Sequence, residues 1–497
     1  MIGSLRERQL RRVISACLLT VFCLAGPLQA RNLDSLVAHS LEFSEGQLAR
    51  TVTLINDTTR YPYRTRNDTL WIANRPGSWV SGWFPGCLWQ MYDHTLDDTW
   101  RRRAESWTAG LEDSKDNTNT HDVGFIIFCS FGNGYRLTGR EEYREVIIQA
   151  ANSLATRYHP RVGCMRSWNK HLFPVIIDNM MNLEILFWAA RNGGDSDLYD
   201  MALSHALRTS RDHIREDGGT YQIVDYDTTT GEYISRFTKQ GSDAESTWAR
   251  GQAWGLYGFT MAYRETGDSR LLEAAMRLAD YFIDHLPGDC VPYWDFQAPD
   301  IPDEEKDVSA SAIAASGLLE LCTLVPAAVT AEKYRSAACS ILASLCSPAY
   351  LAEGTNSIGI LLHGIQNHNE DKGIDVSLIY ADYYFIEALL RYRDMIMSTN
   401  AFGDPPYLFP ASIRLFQNYP NPFNPETNIW YWLSDAVVVN LSLYDITGRW
   451  IQPLEEGYRD PGHHLFRFDS GRLAAGVYVV VLEANDTRRA RRITLVR

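Results

Sequence analysis

The chain has 497 residues, 45% of them hydrophobic and 22% charged, a balance that excludes a largely disordered or collagen-like protein and points to roughly two to four domains. The formal charge of -14, from 47 Lys and Arg against 61 Asp and Glu, excludes a general attraction to nucleic acid or anionic lipid, so an anionic substrate must be held by a few local cations. The 14 Trp, 26 Tyr and 19 Phe serve core packing first, but they also suit a flat sugar-binding face.

Residues 1–30 read as a signal peptide. Arg6, Arg8, Arg11 and Arg12 precede an apolar run from Val13 to Gly26, and Leu28-Gln29-Ala30 offers a cut after Ala30. The run is too short for a comfortable membrane span, an uncleaved anchor being the alternative, and no later segment offers about 20 uninterrupted apolar residues. Export is therefore expected, with no stable membrane span. The cysteines beyond the signal are odd in number and not closely paired, which is no disulfide framework. Neither CxxC nor HExxH occurs, and no metal site or cofactor is expected.

From about residue 35 to 398 the apolar period is 3.6. Tyr143, Val146, Ile147, Ala150, Ala151 and Leu154 form one helical face; Leu271, Leu272, Ala275, Leu278, Ala279 and Phe282 form another, with Asp268-Ser269 as its cap. A helix start recurs as LTGREEYREVIIQAA from Leu137, NGGDSDLYDMALSHA from Asn192, ETGDSRLLEAAMRLA from Glu265 and, more weakly, TAEKYRSAACSILAS from Thr330. That spacing, roughly 55 to 75 residues, accommodates a helical hairpin, and about six of them fill residues 31–400. Closing the stack gives an (α/α)6 barrel with Ala-rich inner helices; leaving it open gives a solenoid.

Between the helices lie segments rich in Trp, Asp, Arg, Gly and Gln, which a toroid would gather at one mouth as a sugar cleft. Asp178 follows Phe173-Pro-Val-Ile-Ile and precedes Met180-Met181, so it is expected to be partly desolvated, with the raised pKa that suits a proton donor. A helix N-cap is the plainer job for such an Asp, and the two are compatible. Asp122, after His121, has the same duality, and a second carboxylate nearby would raise one pKa further. Arg250 lies between Trp248 and Trp254 and is suited either to gripping a carboxylate or to shielding aromatic core from the surface. Lys239-Gln240 places a cation and an amide in a Gly-flanked loop.

Near residue 400 the character changes. Residues 401–415 read as a linker, and 416–497 as a small Ig-like β-sandwich, with Val437, Val439, Leu441 and Leu443 alternating with more polar neighbours and a turn at Asp445-Ile-Thr-Gly448. NYPNPFNPET, LYDITGR, LAAGVYVV and the closing RRITLVR make this segment resemble the C-terminal sorting domain of type IX-secreted bacterial proteins. The resemblance implies the type IX secretion machinery as a partner, export across the outer membrane, and removal or surface attachment of the domain. A spacer or sugar-binding module is the alternative.

The helical region resembles glycoside hydrolase family 88, the unsaturated glucuronyl hydrolases. The likeness is carried by WVSGWFPGCLW at Trp79, HDVGF at His121, FPVIIDNMMNLEILFWA at Phe173, WARGQAWGLYGF at Trp248, VPYWDF at Val291, DVSASAIAASGLLEL at Asp307 and IDVSLIYADYYFIEAL at Ile374. It implies an (α/α)6 barrel and the removal of a 4,5-unsaturated uronate from the non-reducing end of lyase-generated oligosaccharides, by hydration of a vinyl ether. By resemblance, Asp178 protonates C4 and activates the water that adds at C5, while Asp122 positions the sugar. His121, Gln240, Trp248, Arg250 and Trp254 would surround the uronate, with Trp168 and Tyr383 as cleft walls. Two positions depart from the family pattern: Gln222 stands where the family has a histidine, and Lys239 replaces the histidine of HQG. Gln222 cannot take a proton, and Lys239 adds a point charge that would favour sulfated or otherwise acidic aglycones. Related readings are an unsaturated rhamnogalacturonyl hydrolase and an inactive surface sugar-binding protein.

Overall fold

The computed structural model describes residues 33–169, 172–399 and, with short breaks, 413–496. The expected signal peptide and residues 401–412 of the expected linker lie outside the described residues.

Twelve helices fill the described chain up to residue 399. They are α1 (33–54), α2 (Trp83–Thr95), α3 (Asp98–Ala109), α4 (Asn133–Thr138), α5 (Glu141–Ala155), α6 (Glu184–Arg191), α7 (Asp197–Asp212), α8 (Ala249–Thr266), α9 (Ser269–Asp284), α10 (Val308–Leu324), α11 (Ala328–Leu345) and α12 (Ile379–Thr399). The even-numbered helices form an inner ring. Two of them begin irregularly: a π-helical stretch, Gly124–Gly132, runs into α4, and a 3-10 turn, Ile177–Asn182, leads into α6.

The helices before the even-numbered ones are amphipathic and lie outside. Helix α9 buries Leu271, Ala274, Ala275, Leu278, Ala279 and Phe282 and starts at Asp268, whose side chain accepts a hydrogen bond from the Arg270 N–H. The recurring Ala-rich starts belong to α5, α7, α9 and α11, all in the outer layer. The inner layer owes its close packing to Gly and Ser as much as to Ala: α8 and α10 are buried almost all round. A Cβ on Gly258 of α8 would lie 2.4 Å from Cβ of Met180, so only glycine allows that approach.

Around the ring, α2 packs on the π-helical stretch, that stretch on the 3-10 turn, the turn on α8, α8 on α10, α10 on α12, and α12 back on α2. The stack is thus a closed barrel rather than an open solenoid. The inner helices are also joined by ions, towards the C-terminal ends of α8 and α10. Arg264 of α8 donates to Glu320 of α10 (2.6 Å) and to Glu184 of α6, and Arg391 of α12 donates to the other oxygen of Glu320 (2.7 Å). Two arginines hold Glu320 ionised, its pKa pressed down to about 2 against the effect of burial.

Short strands decorate the loops. They form hairpins β1–β2 (Tyr61–Arg66, Leu70–Asn74) and β3–β4 (Tyr158–His159, Cys164–Met165) and a sheet of β5 (Phe173–Ile176), β6 (Ile223–Tyr226) and β7 (Tyr233–Phe237). Ile176 pairs with Ile223 at the end of the β5–β6 ladder, so the chain leaves the sheet just before Asp178.

The C-terminal region is a two-sheet sandwich. One sheet has the order β11 (Trp450–Arg459), β10 (Val437–Asp445), β13 (Gly476–Ala484), β14 (Thr487–Leu495); the other has β12 (Gly462–Asp469), β9 (Glu426–Leu433), β8 (Ile413–Leu415). Val437, Val439, Leu441 and Leu443 all face inward, as their alternation predicts. The sandwich begins at Ile413, inside the expected linker, because Ile413 and Leu415 are core residues paired with Leu433 and Tyr431. No described helix is long and apolar enough to cross a membrane.

Candidate active site

The inner helices present their N-terminal ends to one mouth. Trp83 at the start of α2 packs on Phe125 of the π-helical stretch (4.9 Å between rings) and on Tyr380 of α12 (5.3 Å). Arg250, in the first turn of α8, reaches Tyr380 and Asp307, the cap of α10. Converging helix N-termini add positive potential to that of Arg250, so this mouth suits an anion despite the net charge of the chain.

Asp178 lies at this mouth. It occupies the first turn of the 3-10 segment but makes no capping hydrogen bond, so the plainer reading of it as an N-cap does not hold. It is half-buried, and its Oδ2 is enclosed with no hydrogen-bond partner in the protein. Burial pushes its pKa up to about 7; a bond from its own backbone and the charge of Arg250 oppose the rise, while Asp122 adds to it. A carboxyl poised this way carries a proton near neutral pH and can surrender it.

Asp122 stands two residues before the π-helical stretch, its carbonyl accepting from Ile126 N at 3.0 Å. Its Oδ2 accepts from the Thr120 hydroxyl (2.7 Å), and its Oδ1 lies 3.4 Å from His121 Nε2. His121 is 2% exposed, and burial holds its pKa below the usual imidazole range. Its ring meets the half-buried Trp168 edge-on at 6.4 Å. Asn182 joins the two acidic segments: its side-chain oxygen accepts from Phe125 N at 2.8 Å, and a Cβ on Gly124 would strike it. Asn179 is fixed in turn by Ser167 and the Met165 carbonyl, both at 3.0 Å.

Arg250 is buried rather than on the surface. Its guanidinium sits 4.5 Å above the Trp248 ring and 5.4 Å from Tyr380, and it donates to Asp307, Ser309 and the carbonyls of Ile365 and Gln366. The carboxylate it grips within the protein is Asp307. Trp254 is 1% exposed and packs against Phe125 and Tyr384, beneath the mouth. Tyr383 is also deep: its hydroxyl accepts from Asn133 of α4 at 3.0 Å, while Tyr380, one turn earlier, is the ring beside Arg250.

Gln222, where the family pattern has histidine, is a buried strap. Its side-chain oxygen accepts from the backbone N–H groups of Lys239 (3.0 Å) and Gln240 (2.8 Å), and its carbonyl accepts from Ile177 N (2.9 Å). It therefore fixes the 239–240 loop and the residue before Asp178 together. Lys239 is exposed, its Nζ 4.0 Å from Glu370. Among the described residues one group of metal-ligand type occurs, Glu304, Glu305 and His368; His368 stacks on Trp294 at 4.0 Å.

Asp307, Tyr380 and Asn182 were not singled out from the sequence. Asp307 and Tyr380 fall inside recognisable blocks, but Asp-Val-Ser before a helix reads as a cap, and nothing local marks its second partner.

A profile of Glycosyl Hydrolase Family 88 matches residues 51–355. The chain belongs to this family of glycoside hydrolases. Family 88 relatives include an unsaturated glucuronyl hydrolase of Formosa agariphila, 43% identical over 327 residues, which are 64% of this chain and 81% of the relative. Among solved structures, an unsaturated glucuronyl hydrolase specific for heparin superposes with a TM-score of 0.71 at 38% identity, covering 73% of this chain and 98% of the other. The unsaturated glucuronyl hydrolase of Bacillus sp. GL1 gives 0.69 at 31% identity, over 72% and 96%. Residues 417–496 match a secretion-system C-terminal sorting domain.

Proposed function

We propose that this family 88 enzyme releases the 4,5-unsaturated uronic acid from the non-reducing end of lyase-generated oligosaccharides by hydrating its vinyl ether. The observation that carries the reading is Asp178, a carboxyl held near a pKa of 7 beside Arg250 and Asp122.

In this reading Asp178 gives its proton to C4, and positive charge develops at C5 and the ring oxygen. The carboxylate left behind accepts a proton from the water whose oxygen bonds to C5, restoring the acid. The C5 hemiketal opens the ring, and the hemiacetal exposed at C1 then collapses to release the aglycone. Asp122, held by Thr120 and His121, accepts hydrogen bonds from the sugar hydroxyls. Trp168 and Trp248 line the cleft, with Gln240 on the loop that Gln222 anchors. The sorting domain supports export to the cell surface or beyond.

The test is loss of ultraviolet absorbance from unsaturated disaccharides made by glycosaminoglycan, pectin and algal-polymer lyases. Turnover of one class, abolished by Asp178→Asn, supports the reading and names the polymer. Binding without absorbance loss makes the chain a sugar-binding protein instead.

A further inference from the structure

Arg250 faces two carboxylates in opposite ways. It donates to Asp307 at 2.6 Å, while the 3-10 turn that carries Asp178 packs on the first turn of α8, where a Cβ on Gly251 would lie 3.4 Å from Ile177, with no hydrogen bond from Arg250 to Asp178. Asp307 is fully buried and rigidly held, its other oxygen accepting from the N–H (3.0 Å) and hydroxyl (2.6 Å) of Ser309. Arg250 does not depend on Asp307 for its place. The Ile365 carbonyl (2.5 Å), the Gln366 carbonyl (2.7 Å) and the Ser309 hydroxyl (3.2 Å) also accept from it, and two aromatic faces flank it. Arg250, Asp307, Ser309 and Ile365 are buried, where charges are poorly screened.

We propose that Asp307 is a positioning residue whose negative charge offsets the field of the Arg250 guanidinium at Asp178, so that Asp178 keeps its proton in the working pH range. This rests on the reading of Asp178 as the proton donor. Arg250 alone would draw Asp178 toward its ionised form; the adjacent Asp307 turns a bare cation into an ion pair, whose field falls off faster.

The other groups facing this assembly are accounted for. Asp122, with His121 and Arg157 behind it, faces Asp178 from the π-helical side. Tyr63 and Tyr380 face Arg250 and stay neutral through burial, with Arg64 of β1 a second cation acting on both. His213, just after α7, lies under β5, its ring on the Val175 carbonyl, with burial lowering its pKa to about 4. Nearby loop charges are paired: Lys306 with Asp289, and His363 with Asp375.

The experiment is the pH–rate profile of the full chain and of Asp307→Asn on an unsaturated disaccharide, together with an infrared titration of the Asp178 carboxyl, assigned by difference against Asp178→Asn. Asp307→Asn is expected to move the basic limb and the infrared midpoint downward by about 0.5–1 pH unit, a three- to tenfold loss of rate above the limb. Asp307→Glu is expected to restore most of it. A folded Asp307→Asn with an unmoved or raised midpoint overturns the proposal. Should that variant not fold, Arg250→Gln is compared with Arg250→Gln/Asp307→Asn by infrared. The single variant must titrate higher than the double, and coincident midpoints overturn the proposal. The infrared shift stands without turnover, so an enzyme inactive on every lyase product sinks the proposed function while leaving the electrostatic relation to be read.

Discussion

The side-chain oxygen of Asn182 accepts a hydrogen bond from the backbone N–H of Phe125 at 2.8 Å, tying the 3-10 segment that carries Asp178 to the π-helical stretch that follows Asp122. Two acidic residues from different parts of the chain are thereby set in one frame. Asn182→Ala strands a buried donor and is expected to cost about 1–3 kcal/mol in urea denaturation. It should lower kcat on an unsaturated disaccharide more than it raises KM, because the misplacement falls on the reacting groups. Unchanged kcat with full destabilisation would leave Asn182 a purely structural tie.

Asp178→Asn should reduce turnover at least ~100-fold, the smaller end of what a positioned acid contributes. In the wild type, activity should fall as pH rises through about 7, where the donor loses its proton. Stability carries the same signature. The folded pKa lies above the unfolded one, so between about 4 and 7 the native state holds a proton that the unfolded state does not, and stability declines as pH rises across that window. The Asn variant lacks that decline, so its Tm advantage over wild type should grow from pH 4 to pH 7 and then level off. An advantage independent of pH would contradict the assignment.

Gln222→Leu removes the acceptor shared by the N–H groups of Lys239 and Gln240. The loop should loosen, raising KM several-fold while the basic limb of the pH profile stays in place, since Gln222 carries no proton. A shifted limb would show that Gln222 acts on Asp178 electrically instead.

Lys239 is exposed and only loosely paired with Glu370. If its charge meets an acidic aglycone, Lys239→Ala should lower kcat/KM several-fold more for sulfated than for unsulfated disaccharides, and the gap should close at high salt. Equal losses on both substrates remove the idea.

Arg264→Met breaks the ion network between α6, α8 and α10, leaving Glu184 and Glu320 short of a partner. The loss should be about 3 kcal/mol in denaturant unfolding, with kcat per folded molecule unchanged, because Arg264 and Glu320 sit towards the C-terminal ends of α8 and α10, whereas Arg250 and Asp307 sit at their starts. A large fall in kcat would mean that the two ends of the barrel are coupled.

The amino-acid order by itself determined the helical period of residues 35–398, the strand alternation of the C-terminal region and the partial desolvation of Asp178, but not the short strands β1 to β7 in the loops. Periodicity and apolar flanks are local properties, readable within a dozen residues of Asp178 or along the faces of α5 and α9. Ring closure was not legible, because it rests on α12 meeting α2, nearly 300 positions apart. Separation in sequence, from 17 to 250 positions, also hid the partners of Arg250 at Asp307, Ile365 and Gln366, the depth of Tyr383, and the work of Gln222 as a strap. A side chain's chemistry is written in its own residue, but its charge state and reach depend on what folding packs against it, and only the tertiary structure supplies those neighbours.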